Sequence, residues 1–139
     1  MKWYFKVFRE YANFRGRARR KEFWMFHLFH VIILIPLILL DENPTFLYNE
    51  YNTPIISVVE IIVLIYFLIA VIPTLAVTIR RLHDTGRSGW WYLITFVPYI
   101  GNLVIIIFAC FDSQYGPNQW GPNPKGIGNG DQIEEIGTE

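Results

Sequence analysis

Between Pro54 and Ile79 the chain reads "PIISVVEIIVLIYFLIAVIPTLAVTI", with Glu60 as its one charged residue. A segment apolar on every side has no solvent-facing stripe, so it suits a bilayer better than the surface of a soluble bundle. As a helix it would rise about 39 Å at ~1.5 Å per residue, more than the ~30 Å of hydrocarbon, and is expected to tilt or to bend at Pro73. Two further runs share this character. Phe23 to Leu40 is uncharged when His27 and His30 are neutral, and reaches the roughly 18 residues a crossing needs. Trp90 to Phe111 is also of spanning length, although Pro98, Gly101 and Asn102 weaken its middle. A kink is expected there, with a re-entrant hairpin as the alternative.

Composition supports the same class: 53% of the 139 residues are hydrophobic and 17% aromatic, high for a water-soluble domain. Ahead of the first run, Tyr4, Val7, Phe8 and Tyr11 fall on one helical face and Lys2, Lys6 and Arg9 on another, the pattern of a helix lying among headgroups. The sequence therefore predicts an all-α integral membrane protein: three transmembrane helices at about 23–40, 54–79 and 90–111, preceded by an N-terminal amphipathic interfacial helix over about 2–13. The first run does not read as a cleaved signal, since it is long, ends at Asp41-Glu42 without a small-residue site, and is followed by further spans. Residues 1–125 form one membrane domain, with an ordered aromatic-Gly-Pro loop at 115–124. The acidic tail 126–139 carries too little apolar content to fold alone and is expected to be disordered.

The formal charge of zero hides a segregation. Eight Lys and Arg residues precede the first run, and Arg80, Arg81 and Arg87 follow the second, whereas the loop 41–53 has Asp41, Glu42 and Glu50 and no cation. The Lys/Arg bias puts the N-terminus and the 80–89 loop in the cytoplasm. Three crossings would send the tail to the far side, and a hairpin would return it. Cys110 is the single cysteine, so neither an internal disulfide nor a cysteine metal cluster is available.

Ionisable residues within the membrane are functional candidates. Glu60 lies only about 9 Å into its helix at ~1.5 Å per residue, within reach of the outer interface by snorkelling. His27 and His30 are neighbours on one helical face, but a His-x-x-His pair supplies two of the four ligands of a structural zinc, and packing accounts for it better. No metal site and no cofactor are expected. His83-Asp84 invites a general-base reading, yet adjacent residues point apart and no nucleophile motif or glycine-rich phosphate loop completes a site. A helix-terminating role explains more of "RRLHDTGRSGWW": Arg80 and Arg81 face the carbonyl end of the helix, Gly86 ends it, Ser88 caps the next one, and Trp90 and Trp91 anchor at headgroups.

A second basic motif, "FRGRARRKEFW" from Phe14 to Trp24, belongs on the same membrane face. Cations this dense near low dielectric need counter-charge. Glu22 is expected to pair with Arg80 or Arg81, and Asp84 with Arg17 or Arg20. The predicted cluster is Arg17, Arg20, Glu22, Arg80, Arg81, His83, Asp84 and Arg87.

These two motifs and the closing "YGPNQWGPNP", in this order and separated by apolar spans, resemble the bacterial inner-membrane family known as domain of unknown function 805. The likeness rests on Phe14, Gly16, Arg17, Arg20, Glu22, Phe23 and Trp24, then on Arg80 to Asp84 with Ser88, Trp90 and Trp91. Gly116, Asn118, Trp120, Gly121, Pro122 and Pro124 carry its third part. The resemblance implies a small multi-pass protein of the bacterial inner membrane and supplies no activity. The function expected is a non-enzymatic module whose cluster holds the helices together and binds anionic lipid headgroups or a partner protein, with homo-oligomerisation as a further possibility and no nucleic-acid partner. The alternative is a small oligomeric transporter or channel subunit using Glu60, His27 and His30. A hydrolase or transferase using His83 and Asp84 ranks third.

Overall fold

A computed structural model describes residues 2–39 and 58–130. The acidic loop 41–53, the start of the second predicted span at 54–57 and the tail from 131 onward lie outside the described residues. Within them the chain forms four α-helices, α1 Lys2–Arg9, α2 Arg20–Leu39, α3 Val58–Asp84 and α4 Ile100–Cys110, with a 3-10 helix at Gly89–Phe96 before α4.

Both long helices are apolar outward. Leu28, Ile32, Ile35 and Ile38 on α2, and Leu64, Phe67 and Leu68 on α3, are all exposed. Only 17% of the most apolar stretch of α2 and 28% of that of α3 are buried within the chain, where the core helix of a soluble protein would be mostly covered. Each is long and apolar enough to cross a bilayer.

The predicted N-terminal helix forms over a shorter stretch than 2–13. Its apolar face also goes elsewhere than expected. Val7 is fully buried with Phe23 and Phe26 of α2, Val77 of α3 and Ala109 of α4, and Tyr4 and Phe8 pack against this core. Tyr4 meets the rings of Phe26 and Phe29, 5.8 and 4.8 Å between centroids. Protein rather than lipid therefore covers the Tyr4–Val7–Phe8 stripe, while Phe5 remains exposed.

Pro73 leaves its mark on α3. A proline has no N–H, so the carbonyl four residues earlier, that of Ile69, loses its helical donor. The Tyr11 hydroxyl donates to that carbonyl at 2.7 Å. Tyr11→Phe should therefore lower stability by about 1 kcal/mol, the usual net value of one hydrogen bond. A thermal unfolding curve in detergent checks this, and an unchanged midpoint would refute the pairing.

The third predicted span, 90–111, is not one helix. Trp91 and Phe108 are 5.5 Å apart between ring centroids, where a straight helix would separate them by about 25 Å at ~1.5 Å per residue. The 3-10 helix and α4 are the two arms of a hairpin. Val97 N–H returns to the Ile94 carbonyl at 2.9 Å, and Tyr99 turns the chain with φ 64°. Gly101 then sits so tightly against Ile94 that a Cβ there would lie 1.9 Å from the Ile94 carbonyl oxygen. Eight residues at ~2.0 Å and eleven at ~1.5 Å make both arms about 16 Å long, roughly half the hydrocarbon thickness. Pro98 and Gly101, expected to kink a helix, reverse it instead, and Phe111 returns to the end of the fold that holds Arg81.

Residues 126–130, expected to open a disordered tail, fold back onto the loop. Gly116 N–H donates to the Ile127 carbonyl at 3.1 Å, and Asn123 and Asn129 exchange hydrogen bonds of 2.7 and 2.9 Å. Asparagine and glycine supply the turn chemistry that apolar content did not.

Candidate functional site: a buried polar clasp

The carbonyl end of α3 organises the site. A helix leaves its last four carbonyls without internal donors. Gly86, at φ 78°, ends α3 in the left-handed conformation, with Arg87 N–H on the Leu82 carbonyl at 2.9 Å and Gly86 N–H on that of His83 at 3.1 Å. This is a Schellman closure. Arg81's carbonyl takes Thr85 N–H at 3.3 Å, and the Asp84 carbonyl takes Gln114 N–H at 2.8 Å. The Asn118 amide adds a donor to the His83 carbonyl at 2.9 Å. One turn earlier, Ala18 N–H donates to the Arg80 carbonyl at 3.0 Å, which lays the first basic motif along the helix end.

Asp84, fully buried, is the centre. Its Oδ1 accepts from Arg17 Nε at 3.0 Å, and its Oδ2 from Ser113 Oγ at 2.6 Å and from Arg81 Nη1. Arg17 spends its remaining donors on carbonyls: Nη1 on Gly116 at 2.7 Å and Gly121 at 3.4 Å, Nη2 on Gln114 at 2.6 Å and Asp84 at 3.4 Å. All five N–H groups of this guanidinium are engaged. Arg81 also reaches the carbonyls of Ala18 at 3.2 Å, Ala109 at 3.3 Å and Phe111. It thus holds the carbonyl end of α4, where a cation is favourable.

A second group joins α1 to both long helices. Glu22, with no exposed surface, pairs with Lys6 at 2.8 Å and with Arg80 at 3.0 Å. Arg80 also pairs with Glu10. Four cations, Lys6, Arg17, Arg80 and Arg81, therefore face three acids, Glu10, Glu22 and Asp84.

Both expected pairings take one of their two alternatives. Arg80 rather than Arg81 meets Glu22, and Arg17 rather than Arg20 meets Asp84. His83 and Asp84 diverge: His83 stacks on Trp120 at 4.5 Å and 6° between planes, with Nδ1 on the Gly16 carbonyl at 3.2 Å, while Asp84 faces the arginines. The general-base pairing is therefore absent from this geometry. Arg87 lies outside the clasp, its guanidinium 4.1 Å from the Phe108 ring centroid and 4.9 Å from that of Phe111, a cation–π contact with the hairpin. His27 and His30 turn Nδ1 to the carbonyls four residues earlier, Phe23 at 2.9 Å and Phe26 at 3.0 Å. Glu60 stands in the first turn of α3, at the opposite end of that helix from the clasp. Among the described residues no three His, Cys, Asp or Glu side chains gather as a metal site.

Sequence reasoning missed Lys6, Glu10, Ser113, Gln114 and Asn118. Lys6 read, with Lys2 and Arg9, as the polar face of a helix lying among headgroups, and Glu10 carried no signal of its own. Gln114 just precedes the third motif and Asn118, singled out only by the resemblance, lies within it, yet nothing in one sequence says that this motif returns to the first. At its exposed end Lys125 pairs with Asp112. The hydrogen bond from that ammonium, with one from Ser113 N–H, holds the Asp112 carboxyl below its ordinary range.

The chain has extensive relatives. It is 44% identical over 125 residues to inner membrane protein YhaH of Escherichia coli K12, covering 90% of this chain and 98% of the relative. Inner membrane protein YhaI of the same strain is 42% identical over 130 residues, covering 90% and 97%. Uncharacterized protein YiiR, also from that strain, is 30% identical over 99 residues, covering 68% of this chain and 58% of the relative. No solved structure matches. Residues 11–122 match the family described as protein of unknown function, DUF805. That stretch runs from just after Glu10 to the loop that Arg17 binds and so contains five of the seven charged residues of the clasp, all but Lys6 and Glu10, and the chain belongs to the DUF805 family of bacterial inner-membrane proteins.

Proposed function

We propose that this chain is a non-enzymatic module of the cytoplasmic face of the inner membrane, held to anionic lipid by an exposed basic rim around a clasp whose charges are largely paired internally. α2 and α3 cross the bilayer, the hairpin enters about halfway and returns, and the N-terminus, the Arg80–Ser88 turn and the 115–130 loop share the cytoplasmic side. The Lys/Arg excess of that side supports the orientation. The observation that carries the reading is the burial of Arg17, Arg80 and Arg81, at 7%, 1% and 1% exposure. Cations already engaged by carboxylates and carbonyls are unavailable to headgroups, so the clasp positions and the rim binds. Arg9, Arg15 and Lys21 are exposed and supply that rim. Anionic lipid offers about 1 kcal/mol for each such cation.

Adding phosphatidylglycerol to the detergent-solubilised protein should raise the unfolding midpoint more than phosphatidylcholine does, and near 1 M salt, where the Debye length is about 3 Å, the difference should vanish. The triple variant Arg9→Ala, Arg15→Ala, Lys21→Ala should lose that difference while keeping its fold. Equal stabilisation by both lipids would overturn the reading and favour a protein partner on this face.

A further inference from the structure

One groove of about 630 Å³ opens beside the clasp, between α3 and the 3-10 arm of the hairpin. From α3, Leu75, Ile79 and His83 line it one turn apart, a wall about 12 Å long at ~1.5 Å per residue. Trp90, Leu93 and Phe96 form the opposite wall. Phe14 and Trp120 close the end at the clasp, where Ser88 and His83 are the polar groups. The lining is therefore graded, polar at the level of the basic motifs and mainly hydrocarbon along its depth, where Tyr92 brings the one hydroxyl, and it contains no carboxylate.

His83 is fixed at that mouth. Trp120 stacks on its ring, and Nδ1 is taken by the Gly16 carbonyl. Its Nε2 lies 3.3 Å from where a Cβ of Gly89 would stand, which places it on the groove side. Ser88 is exposed beside it, and Arg15, also exposed, follows Phe14 in the chain. Trp90 and Phe96 are 78% and 79% exposed, so the outer wall of the groove faces the surroundings of the hairpin. For a chain in a bilayer those surroundings are lipid.

We infer that the groove holds one acyl chain of an anionic phospholipid, with the phosphate at His83, Ser88 and Arg15 and the hydrocarbon along Ile79, Leu75 and Leu93. The volume falls within the ~300–1,000 Å³ usual for small-molecule sites, with apolar walls and few convergent polar groups. A protein helix, about 10 Å across with its side chains, would not enter between two adjacent elements of one fold, whereas a single hydrocarbon chain does. The inference rests on the lipid-facing reading above and adds a defined site to the diffuse attraction of the rim.

Native mass spectrometry from mixed phosphatidylglycerol and phosphatidylcholine micelles tests it. The parent protein should retain one phosphatidylglycerol per chain in preference to phosphatidylcholine, and millimolar inorganic phosphate should not displace it. Leu75→Trp, which fills the groove, should lower retention at least tenfold. Leu93→Trp, on the exposed wall, provides a second obstruction should the first variant misfold. Both variants keep Arg9, Arg15 and Lys21, so their salt-sensitive stabilisation by phosphatidylglycerol should persist. Unchanged retention in a folded obstructed variant, equal retention of the two lipids, or displacement by phosphate alone overturns the site. Salt-sensitive stabilisation without a retained lipid overturns the site and leaves the rim standing. A retained lipid without salt-sensitive stabilisation overturns the rim and leaves the site standing.

Discussion

Asp84→Ala should cost about 3–5 kcal/mol, the penalty for removing one partner of a buried ion pair, and so consume a large part of the ~5–15 kcal/mol that holds a typical domain together. The reason lies in what stays behind. Arg17 and Arg81 are 7% and 1% exposed, and Asp84 is the carboxylate both contact. Without it two guanidinium groups face each other's field with carbonyl dipoles as their only compensation, and Ser113 loses its acceptor. Asp84→Asn separates charge from shape: it keeps an acceptor for one donor and should remain less stable than the parent by more than a neutral hydrogen bond, about 1 kcal/mol. Arg17→Ala should be as damaging as Asp84→Ala, since it strands the carboxylate's Oδ1 and the carbonyls of Gln114 and Gly116. Arg20→Ala should cost under about 1 kcal/mol, as a half-exposed cation outside the pair. Thermal unfolding of the four variants in one detergent orders them, and a parent-like Asp84→Ala would show that the clasp does not hold the fold.

That Arg17 and Arg20 differ so sharply marks the limit of what a single sequence displays. Both sit in one run of cations, and counter-charge alone made either a fair partner for Asp84. The choice depends on the residues either side of Arg17: Gly16 turns the chain with φ 85°, and Ala18 N–H holds it to the Arg80 carbonyl, which brings Arg17 to the helix end before α2 begins at Arg20. The long helices were legible because hydrophobicity over twenty residues is a strong signal, and the pairing of two basic motifs through their few acids followed from the cost of crowding like charges. The burial of the clasp was less legible. A residue such as Arg81 looks like a headgroup cation until the carbonyls of Ala109 and Phe111 arrive from a segment that sequence reading sent across the membrane. His83 shows the same dependence, since its stacking partner Trp120 lies in the third motif. Once the hairpin brings the third motif back, the apparent headgroup site becomes a buried cluster, and the outward cations are neighbours of its arginines in the chain, Arg15 and Lys21 within the first motif and Arg9 before it.

Gly101→Val should therefore do more than weaken a helix. A Cβ at this position would stand 1.9 Å from the Ile94 carbonyl oxygen and 2.7 Å from the Thr95 Cα, both main-chain atoms that no rotamer change moves aside. The 3-10 arm and α4 must separate, and with them the contact of Trp91 with Phe108. A β-branched residue is tolerated in an ordinary helix at a cost of under about 1 kcal/mol, so a loss of 3 kcal/mol or more would report the hairpin's closure and not helix propensity. Because Arg81 and Arg17 bind carbonyls at and beyond the returning end of α4, opening the hairpin should also loosen the clasp. The readout specific to this geometry is distance: spin labels at positions 91 and 108, in a variant with Cys110 replaced by serine, should report a separation well short of the ~25 Å of a continuous helix. Gly101→Val should lengthen it, whereas the label pair in a straight 90–111 span would give the long distance in both proteins. The same substitution would then leave the long apolar helices α2 and α3 intact while releasing the loop that Arg17 holds, which separates the role of these two helices from that of the hairpin beside them.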